Sequence, residues 1–301
     1  MQFLIVIGAP KSGTTSLGYW LGQHPSISRC RKKEPRFFTD FAEIAWQGPG
    51  GQGFRASLIR EESEYLAAFD WGDGPVWGLD ASTDYLWCPA AAERLRAWAD
   101  RFPTKLVCIL RDPVDRIVSE YQHTVRAHME TVSLQESLAL EEERVAAHWH
   151  PLFYHRRRSL YSEALNRYHA LFGEDLLVLD HAELGDPDVC VGRVLDFLGL
   201  PSHEIDTRER KNVSFVYRSP AADRWMRNPK VRAAARRLFP KPFRSRIRET
   251  ANTALRTRYR PTADDLQAIS ALLEDEIAAC RRDPLVPTGT WRGAEPLRAG
   301  A

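Results

Sequence analysis

Residues 3–16 read FLIVIGAPKSGTTS, and this stretch decides the fold. Five apolar residues lead directly into a glycine-rich turn, which is followed by a run of small hydroxylated residues. A buried strand that opens through such a turn onto a helix binds phosphate groups, because backbone N–H groups and the helix dipole point at the anion. The stretch predicts a first strand, a phosphate-binding loop over residues 8–13 and a helix over residues 14–21.

Short apolar runs alternate with segments of helical periodicity along the rest of the chain. Further strands are expected at residues 76–79, 106–110 and 176–179, and further helices at residues 90–99, 114–128, 161–172, 189–198 and 264–279. This alternation predicts an α/β fold with a P-loop-like central parallel sheet flanked by helices. We expect a single domain over residues 1–301, with a nucleotide-binding core over about residues 1–200 and a basic helical portion over about residues 211–301.

The composition is that of an ordinary globular protein. Of 301 residues, 44% are hydrophobic, and 42 Lys and Arg nearly balance 40 Asp and Glu. These values exclude the disordered and low-complexity classes, and no nucleic-acid-binding module is recognisable, so no nucleic-acid partner is expected. Five dispersed cysteines are typical of reduced thiols, and the apolar start is too short for a signal peptide or membrane span, so we expect a cytoplasmic protein.

The loop differs from that of nucleoside triphosphatases in two ways. Gly8 and Gly13 keep the spacing of G-x-x-x-x-G-K-[ST], but Thr14 stands where the lysine belongs, and the lysine has moved to Lys11. Arg111 follows a later predicted strand, where those enzymes place a Mg²⁺-binding carboxylate. Both differences disfavour metal-dependent phosphoryl transfer and suit a nucleotide with an additional phosphate. A P-loop kinase or NTPase is kept as the alternative function.

Four segments together resemble the PAPS-dependent sulfotransferases. They are KSGTT at residues 11–15, RDPVDR at 111–116 with Ser119, KEPRFF at 33–38, and the helix and strand expected within 161–184. The last two resemble the heparan sulfate or glycosaminoglycan branch and its bacterial relatives. The resemblance implies an enzyme that moves the sulfuryl group of PAPS to a hydroxyl or amine and releases PAP, with no metal.

The resemblance also implies which residues bind the donor. Lys11 would stabilise negative charge on the departing phosphate. Arg111 and Ser119 would bind the 3′-phosphate, and Lys211 is predicted to reach the same group. The residues implied to bind the 5′-phosphate are Ser12, Gly13, Thr14, Thr15 and Ser16.

On the acceptor side, Glu34 is the predicted general base, because it aligns with the family's catalytic carboxylate and the acceptor must lose a proton as it attacks. His123 is a second candidate for proton handling or acceptor contact, with an ordinary helix-surface imidazole as the alternative. The acceptor is expected to be a small molecule, glycan or glycolipid, and Leu79-Asp80, where glycosaminoglycan enzymes commonly have Glu-Lys, argues against a heparan-like one. Its predicted contacts are Lys33, Arg36, Ser82, Tyr85 and Trp87.

Residues 218–260 gather most of the positive charge. They hold fourteen Lys or Arg against Asp223 and Glu249, a local net charge of +12 in a chain whose total is +2. Three interpretations stay open: an exposed helical face, a cover over the nucleotide and an anionic acceptor, or peripheral contact with a membrane surface. The last would fit a non-enzymatic, anion-binding module.

Three histidines, His148, His150 and His155, raise the question of a metal site. Two histidines at i and i+2 share a face only on a strand, and no cysteine or carboxylate obviously completes the set. The sequence predicts no metal.

Overall fold

The chain folds around a sheet of five parallel strands in the order β2-β3-β1-β4-β5. A computed structural model describes residues 1–72, 77–208, 216–217, 256–257 and 260–291. The strands are β1 (Gln2–Gly8), β2 (Ile27–Arg29), β3 (Trp77–Asp80), β4 (Thr104–Leu110) and β5 (Leu176–Asp180). The predicted α/β fold with a parallel sheet is confirmed. A short antiparallel pair, β6 (Val216–Tyr217) and β7 (Arg256–Thr257), lies apart from this sheet.

Helices cover the sheet on both faces. They are α1 (Thr14–Leu21), α2 (Gly51–Ser57), α3 (Glu62–Ala67), α4 (Pro89–Ala99), α5 (Pro113–Arg126), α6 (Leu134–Ala139), α7 (Glu141–Ala146), α8 (Ser162–Phe172), α9 (Pro187–Leu198), α10 (Ala263–Leu272) and α11 (Glu274–Arg282). Short 3₁₀ helices lie at Phe41–Glu43, Thr83–Tyr85, Pro151–Phe153, Arg157–Ser159, Gly173–Asp175 and His181–Gly185. Among the described helices, none has the length and apolar character needed to cross a membrane.

Strand β1 lies in the middle of the sheet, and its residues 3–8 are all buried. Successive side chains on a strand point to opposite faces. Phe3, Ile5 and Ile7 therefore join the core beneath α4 and α8, whereas Leu4 and Val6 pack with α1 and α9. A continuous apolar run is what a strand covered on both faces requires.

The helix expected over residues 264–279 is wrong as a single element, because the chain forms α10 and α11 with a break at Leu273. Leu273 is fully buried beside Ile269 and Ile277. In α11, the Glu276 carboxylate accepts hydrogen bonds from the backbone N–H groups of Tyr161 and Ser162 at the start of α8. The helix thus breaks just before α11 binds the start of α8, a segment more than 100 residues away in the sequence.

The strand order places the carboxyl ends of β1 and β4 side by side, with Gly8 in register with Cys108. From β1 the chain leads to β2 and β3 on one side, and then crosses to β4 and β5 on the other. In an open parallel sheet, ligands bind outside the carboxyl ends where the connections diverge in this way.

Candidate active site

A cavity of about 840 Å³ opens at this carboxyl edge. Its size lies within the range of ligand pockets in proteins. Most of the predicted site residues reach its wall: Lys11, Gly13, Thr14, Thr15, Ser16, Lys33, Glu34, Arg36, Arg111, Ser119 and His123. The structure thus brings together three segments that are far apart in the sequence, at residues 11–16, 33–36 and 111–123.

The phosphate-binding loop is shaped by Gly13, whose φ of 85° lies in the left-handed region. A Cβ added there would lie 2.2 Å from Leu184 Cδ1, so a side chain cannot be accommodated without movement. Helix α1 begins at the next residue, and no side chain in the described part of the chain caps it. The N–H groups of Ser16 and Leu17 donate to the Gly13 carbonyl oxygen, and those of Thr14 and Thr15, at the very start of the helix, are placed to face an anion. Within the loop, Ser12 is buried, and its Oγ has no hydrogen-bond partner among the described residues.

Lys11 is part of the loop and lines the cavity, with a left-handed φ of 66°. Burial lowers the pKa of its ammonium group to about 8, while the Glu120 carboxylate acts in the opposite direction. An anion bound beside this group would raise the pKa again. The lysine is therefore a cation whose charge depends on what occupies the cavity.

Arg111 joins the loop to the second motif. Its Nη1 donates to the Lys11 carbonyl oxygen over 3.3 Å, and its Nη2 lies 3.7 Å from Asp115 Oδ2. Asp112 caps α5 by accepting from the Val114 N–H over 2.9 Å, which explains why the helix starts directly after the arginine. The same helix carries Ser119 to the cavity wall.

The segment that carries Glu34 has an unusual backbone. Glu34 and Arg36 have φ values of 51° and 52°, a region that residues other than glycine rarely adopt. The Arg36 backbone N–H donates to Ser82 Oγ over 3.0 Å, and its Nε donates to Asp84 Oδ2 over 2.5 Å. Its Nη2 also forms an ion pair with the Glu34 carboxylate. Arg36 thus fixes both the backbone and the carboxylate at the cavity wall.

Behind Arg36, a chain of buried ion pairs runs into the molecule. Arg158 donates to Asp84 Oδ1 over 2.8 Å and pairs with Glu120, which also accepts from Arg116 Nη1 over 2.9 Å. These four side chains are at most 4% exposed. Burial acts to raise the pKa of Asp84, but the guanidinium groups of Arg158 and Arg36 outweigh it and lower the pKa to about 2. The carboxylates therefore stay charged and bind the arginines in place.

Three predicted acceptor contacts are not among the described residues of the cavity wall: Ser82, Tyr85 and Trp87. The first two are buried, and each donates a hydrogen bond to an Asp80 oxygen over 2.7 Å. The indole N–H of the third donates to Asp84 Oδ1 over 2.8 Å. A buried carboxylate must accept hydrogen bonds, so the two hydroxyl groups and the indole N–H bind aspartate carboxylates beneath the cavity. From the same segment, residues 83–84 reach the wall instead.

His123 lies on α5 and faces the cavity. Burial, with the positive charges of Lys11 and Arg126, lowers the pKa of this imidazole to about 4, so it is neutral at pH 7. Arg126 Nη2 lies 2.9 Å from His123 Nδ1. Because a guanidinium can only donate, Nδ1 accepts and the hydrogen of the neutral ring is on Nε2. This arrangement suits a hydrogen-bond donor better than a base.

The three histidines considered for a metal have different surroundings. His148 is exposed, His155 is buried with Nδ1 3.3 Å from Glu120 Oε2, and His150 lines the cavity. Within the described residues, no group of three or more His, Cys, Asp or Glu side chains is arranged to hold a metal ion. Lys211 and nearly all of residues 218–260 lie outside the described residues, so the predictions for them stay predictions.

Several residues of the wall were not predicted from the sequence: Trp20, Asp84, Glu120, Arg158 and His181, together with His150, which was considered only as a metal ligand. Arg158 ends a run of three arginines that reads as a charged surface, yet its partner Asp84 is 74 residues away in the sequence. No local motif signals such a pair. Glu120 directly follows the predicted Ser119, but nothing in its local sequence indicates that it is buried and paired with Arg116 and Arg158.

The amino-acid sequence is similar to those of known sulfotransferases. Residues 4–204 match the model of the Sulfotransferase family. Human heparan sulfate glucosamine 3-O-sulfotransferase 6 is 28% identical over 204 residues, which are 65% of this chain and 52% of that protein. Mouse bifunctional heparan sulfate N-deacetylase/N-sulfotransferase 4 is 29% identical over 210 residues, which are 66% of this chain and 22% of that protein. The chain spans about half the length of the first relative and less of the second.

A solved structure supports the same relationship. The crystal structure of a sulfotransferase from Alicyclobacillus acidocaldarius aligns with a TM-score of 0.64 and 32% sequence identity, covering 89% of this chain and 95% of that chain. The chain belongs to the sulfotransferase family. The family predicted from the motifs is confirmed.

Proposed function

We propose that the protein transfers the sulfuryl group of PAPS to a hydroxyl or amine of a small-molecule, glycan or glycolipid acceptor. The observation that carries the proposal is the hydrogen bond from Arg111 to the Lys11 carbonyl oxygen. This contact holds the Arg111 guanidinium group directly beside the glycine-rich loop, and a cation at that place supports binding of an additional phosphate. Nucleotides used for phosphoryl transfer need Mg²⁺-binding groups at this place, whereas PAPS needs a cation for its 3′-phosphate.

The residues fit the two phosphate positions of such a nucleotide. The start of α1, with the hydroxyl groups of Thr14, Thr15 and Ser16, suits the 5′-phosphate. Arg111 and Ser119 suit the 3′-phosphate. Gly13 keeps the loop in this shape, because its left-handed φ and the nearby Leu184 side chain leave no room for a side chain of its own. Lys211 remains the proposed further contact with the 3′-phosphate.

The chemistry needs a cation where charge develops and a group that takes a proton. Lys11 supplies the cation, because its ammonium group gains its full charge beside a departing phosphate oxygen. Glu34 takes the proton of the attacking hydroxyl or amine, and its ion pair with Arg36 orients the carboxylate. His123 donates its Nε2–H to an oxygen of the transferred group or of the acceptor, and Lys33 adds a cation at the wall.

Calorimetry with PAP and 5′-AMP, in buffer that contains EDTA, tests the donor site. The protein is expected to bind PAP without metal, and Arg111→Ala should weaken PAP much more than 5′-AMP, because only PAP has the 3′-phosphate. Arg157→Ala is the matched control, since Arg157 is exposed and pairs with Glu142. Equal losses for the two nucleotides would contradict the assignment. ATP binding that requires Mg²⁺ would instead favour the kinase alternative.

A further inference from the structure

His150 lines the same cavity as Glu34 and is not used by the donor site. Its ring centroid lies 4.5 Å from that of Phe54, and the guanidinium carbon of Arg36 lies 4.8 Å from the centroid of the same phenyl ring. Arg36 in turn pairs with Glu34. The proposed base and this imidazole therefore belong to one continuous stretch of wall.

The hydrogen bond made by one ring nitrogen fixes where the hydrogen of the other must be. His150 Nδ1 accepts from the backbone N–H of Leu152 over 3.0 Å and so caps the 3₁₀ helix Pro151–Phe153. A backbone N–H can only donate, so Nδ1 carries no hydrogen. The neutral ring therefore holds its hydrogen on Nε2.

The backbone around His150 is also held in place. The Gln47 N–H donates to the His148 carbonyl oxygen over 2.7 Å, and the His150 N–H donates to the Gln47 carbonyl oxygen over 3.1 Å. With the cap on one side of the ring and Phe54 on the other, the imidazole has little freedom to turn. Pre-organisation of this kind is what a recognition group requires.

The charged groups that face the ring leave it neutral. Burial is the main cause that lowers the pKa of His150 to about 4, and Arg158 and Arg36 act in the same direction. Asp84 and Glu120 oppose them. At pH 7 the group offers a hydrogen without a positive charge.

We propose that His150 determines acceptor specificity by donating its Nε2–H to an oxygen that neighbours the attacking atom of the acceptor. This inference rests on the proposed function, in which Glu34 takes the proton of the attacking group. An acceptor with an oxygen next to its reacting hydroxyl would satisfy both groups. An acceptor without that oxygen would leave a buried donor unpaired, at a cost of about tenfold or more in apparent affinity.

The hydrogen position can be measured without any acceptor. Long-range ¹H–¹⁵N correlation spectra of histidine-labelled protein, saturated with PAP, report which ring nitrogen is protonated. We expect a neutral His150 ring with its hydrogen on Nε2 from about pH 6 to about pH 8, and the signal is identified by its absence in His150→Asn. A ring protonated on Nδ1, or a charged ring at pH 7, would overturn the proposal. Failure to bind PAP would instead count against the proposed function, and the spectra of the free protein would still decide this point.

Two matched pairs of acceptors test the specificity: phenol with catechol, and cyclohexanol with 1,2-cyclohexanediol. Each pair differs by one neighbouring hydroxyl. His150→Asn keeps an oxygen that can cap the helix but does not reach as far as Nε2. The control is His148→Asn, an exposed site with a φ of 53°, which asparagine tolerates.

The wild type and His148→Asn are expected to prefer the diols by about tenfold in kcat/KM, mainly through KM. His150→Asn should lose that preference while PAP affinity stays within about twofold. Where turnover is too slow to measure, catechol should shift the His150 Nε2 signal of the PAP complex. No diol preference in the wild type, a preference kept in His150→Asn, or no shift of that signal would overturn the proposal.

Discussion

The two walls of the cavity are built in different ways. The wall that we propose for the donor, called the donor wall, consists of a strand-to-helix loop and the start of α5, each formed by consecutive residues around Gly13 and Arg111. The wall that we propose for the acceptor, called the acceptor wall, consists of ion pairs between distant segments, in which Glu34, Arg36 and Asp84 depend on Arg158. The donor wall offers backbone N–H groups that most side-chain changes leave intact. The acceptor wall depends on a balance of buried charges, and losing one partner leaves another uncompensated.

Removal of Arg158 should have the largest effect on stability. Arg158→Met is expected to lower the free energy of unfolding by about 3–5 kcal/mol, because Asp84 and Glu120 would lose a buried cation. Urea denaturation measures the change. Arg157→Met is the control, since its exposed pair with Glu142 should contribute at most about 1 kcal/mol. Equal effects of the two variants would show that the acceptor wall does not depend on its buried charges.

Asp80, which lies beneath the acceptor wall, makes the free energy of unfolding depend on pH. Burial raises the pKa of Asp80 to about 6, even though three hydroxyl groups donate to it. A raised pKa means that this group favours folding below its unfolded pKa and that the contribution is lost as the pH rises through about 6. The loss between about pH 4 and pH 7 should be roughly 3 kcal/mol.

Denaturation series of the wild type and Asp80→Asn across this range should therefore diverge as the pH rises. The wild type should lose stability relative to the variant. Parallel curves would contradict the assigned environment of Asp80.

Gly13→Ala tests the donor wall. The left-handed backbone costs alanine about 1–2 kcal/mol, and the contact with Leu184 adds to this. PAP affinity measured by calorimetry should fall by about tenfold or more. Gly192→Ala in α9 is the control, because a Cβ there meets no described atom within 4 Å. It should leave PAP affinity unchanged and stabilise the helix by up to about 1 kcal/mol.

Proton uptake by Lys11 is the smallest expected effect. Its pKa of about 8 in the free protein should rise when PAP binds. PAP affinity should then decrease as the pH rises above about 8, and the binding heat should depend on the ionisation heat of the buffer. Lys11→Arg keeps its charge and should show no proton uptake. A buffer-independent heat for the wild type would argue that Lys11 does not meet the ligand.

The contrast between a wall built from consecutive residues and a wall built from distant segments also explains which features of the fold and site could be predicted from the sequence. Helix α1 occurs at the predicted residues 14–21, because glycine, hydroxyl groups and apolar spacing are local signals. The three-residue edge strand β2 carries too few residues for a pattern. The left-handed backbones of Glu34 and Arg36 could not be predicted, because they are held by Ser82 and Asp84 from a distant segment. Local chemistry identified the donor wall, whereas folding alone determines the ion pairs of the acceptor wall.

The most direct test of the account is mass spectrometry of acceptors incubated with PAPS. The wild type should add the mass of one sulfuryl group to an acceptor and release PAP. Glu34→Gln should bind PAP as tightly as the wild type but show no transfer, and Glu163→Gln, at a side chain that is 91% exposed, should behave as the wild type. Transfer that persists in Glu34→Gln would contradict Glu34 as the base. PAP binding with no transfer by the wild type to any member of a broad panel would contradict the proposed sulfuryl transfer itself.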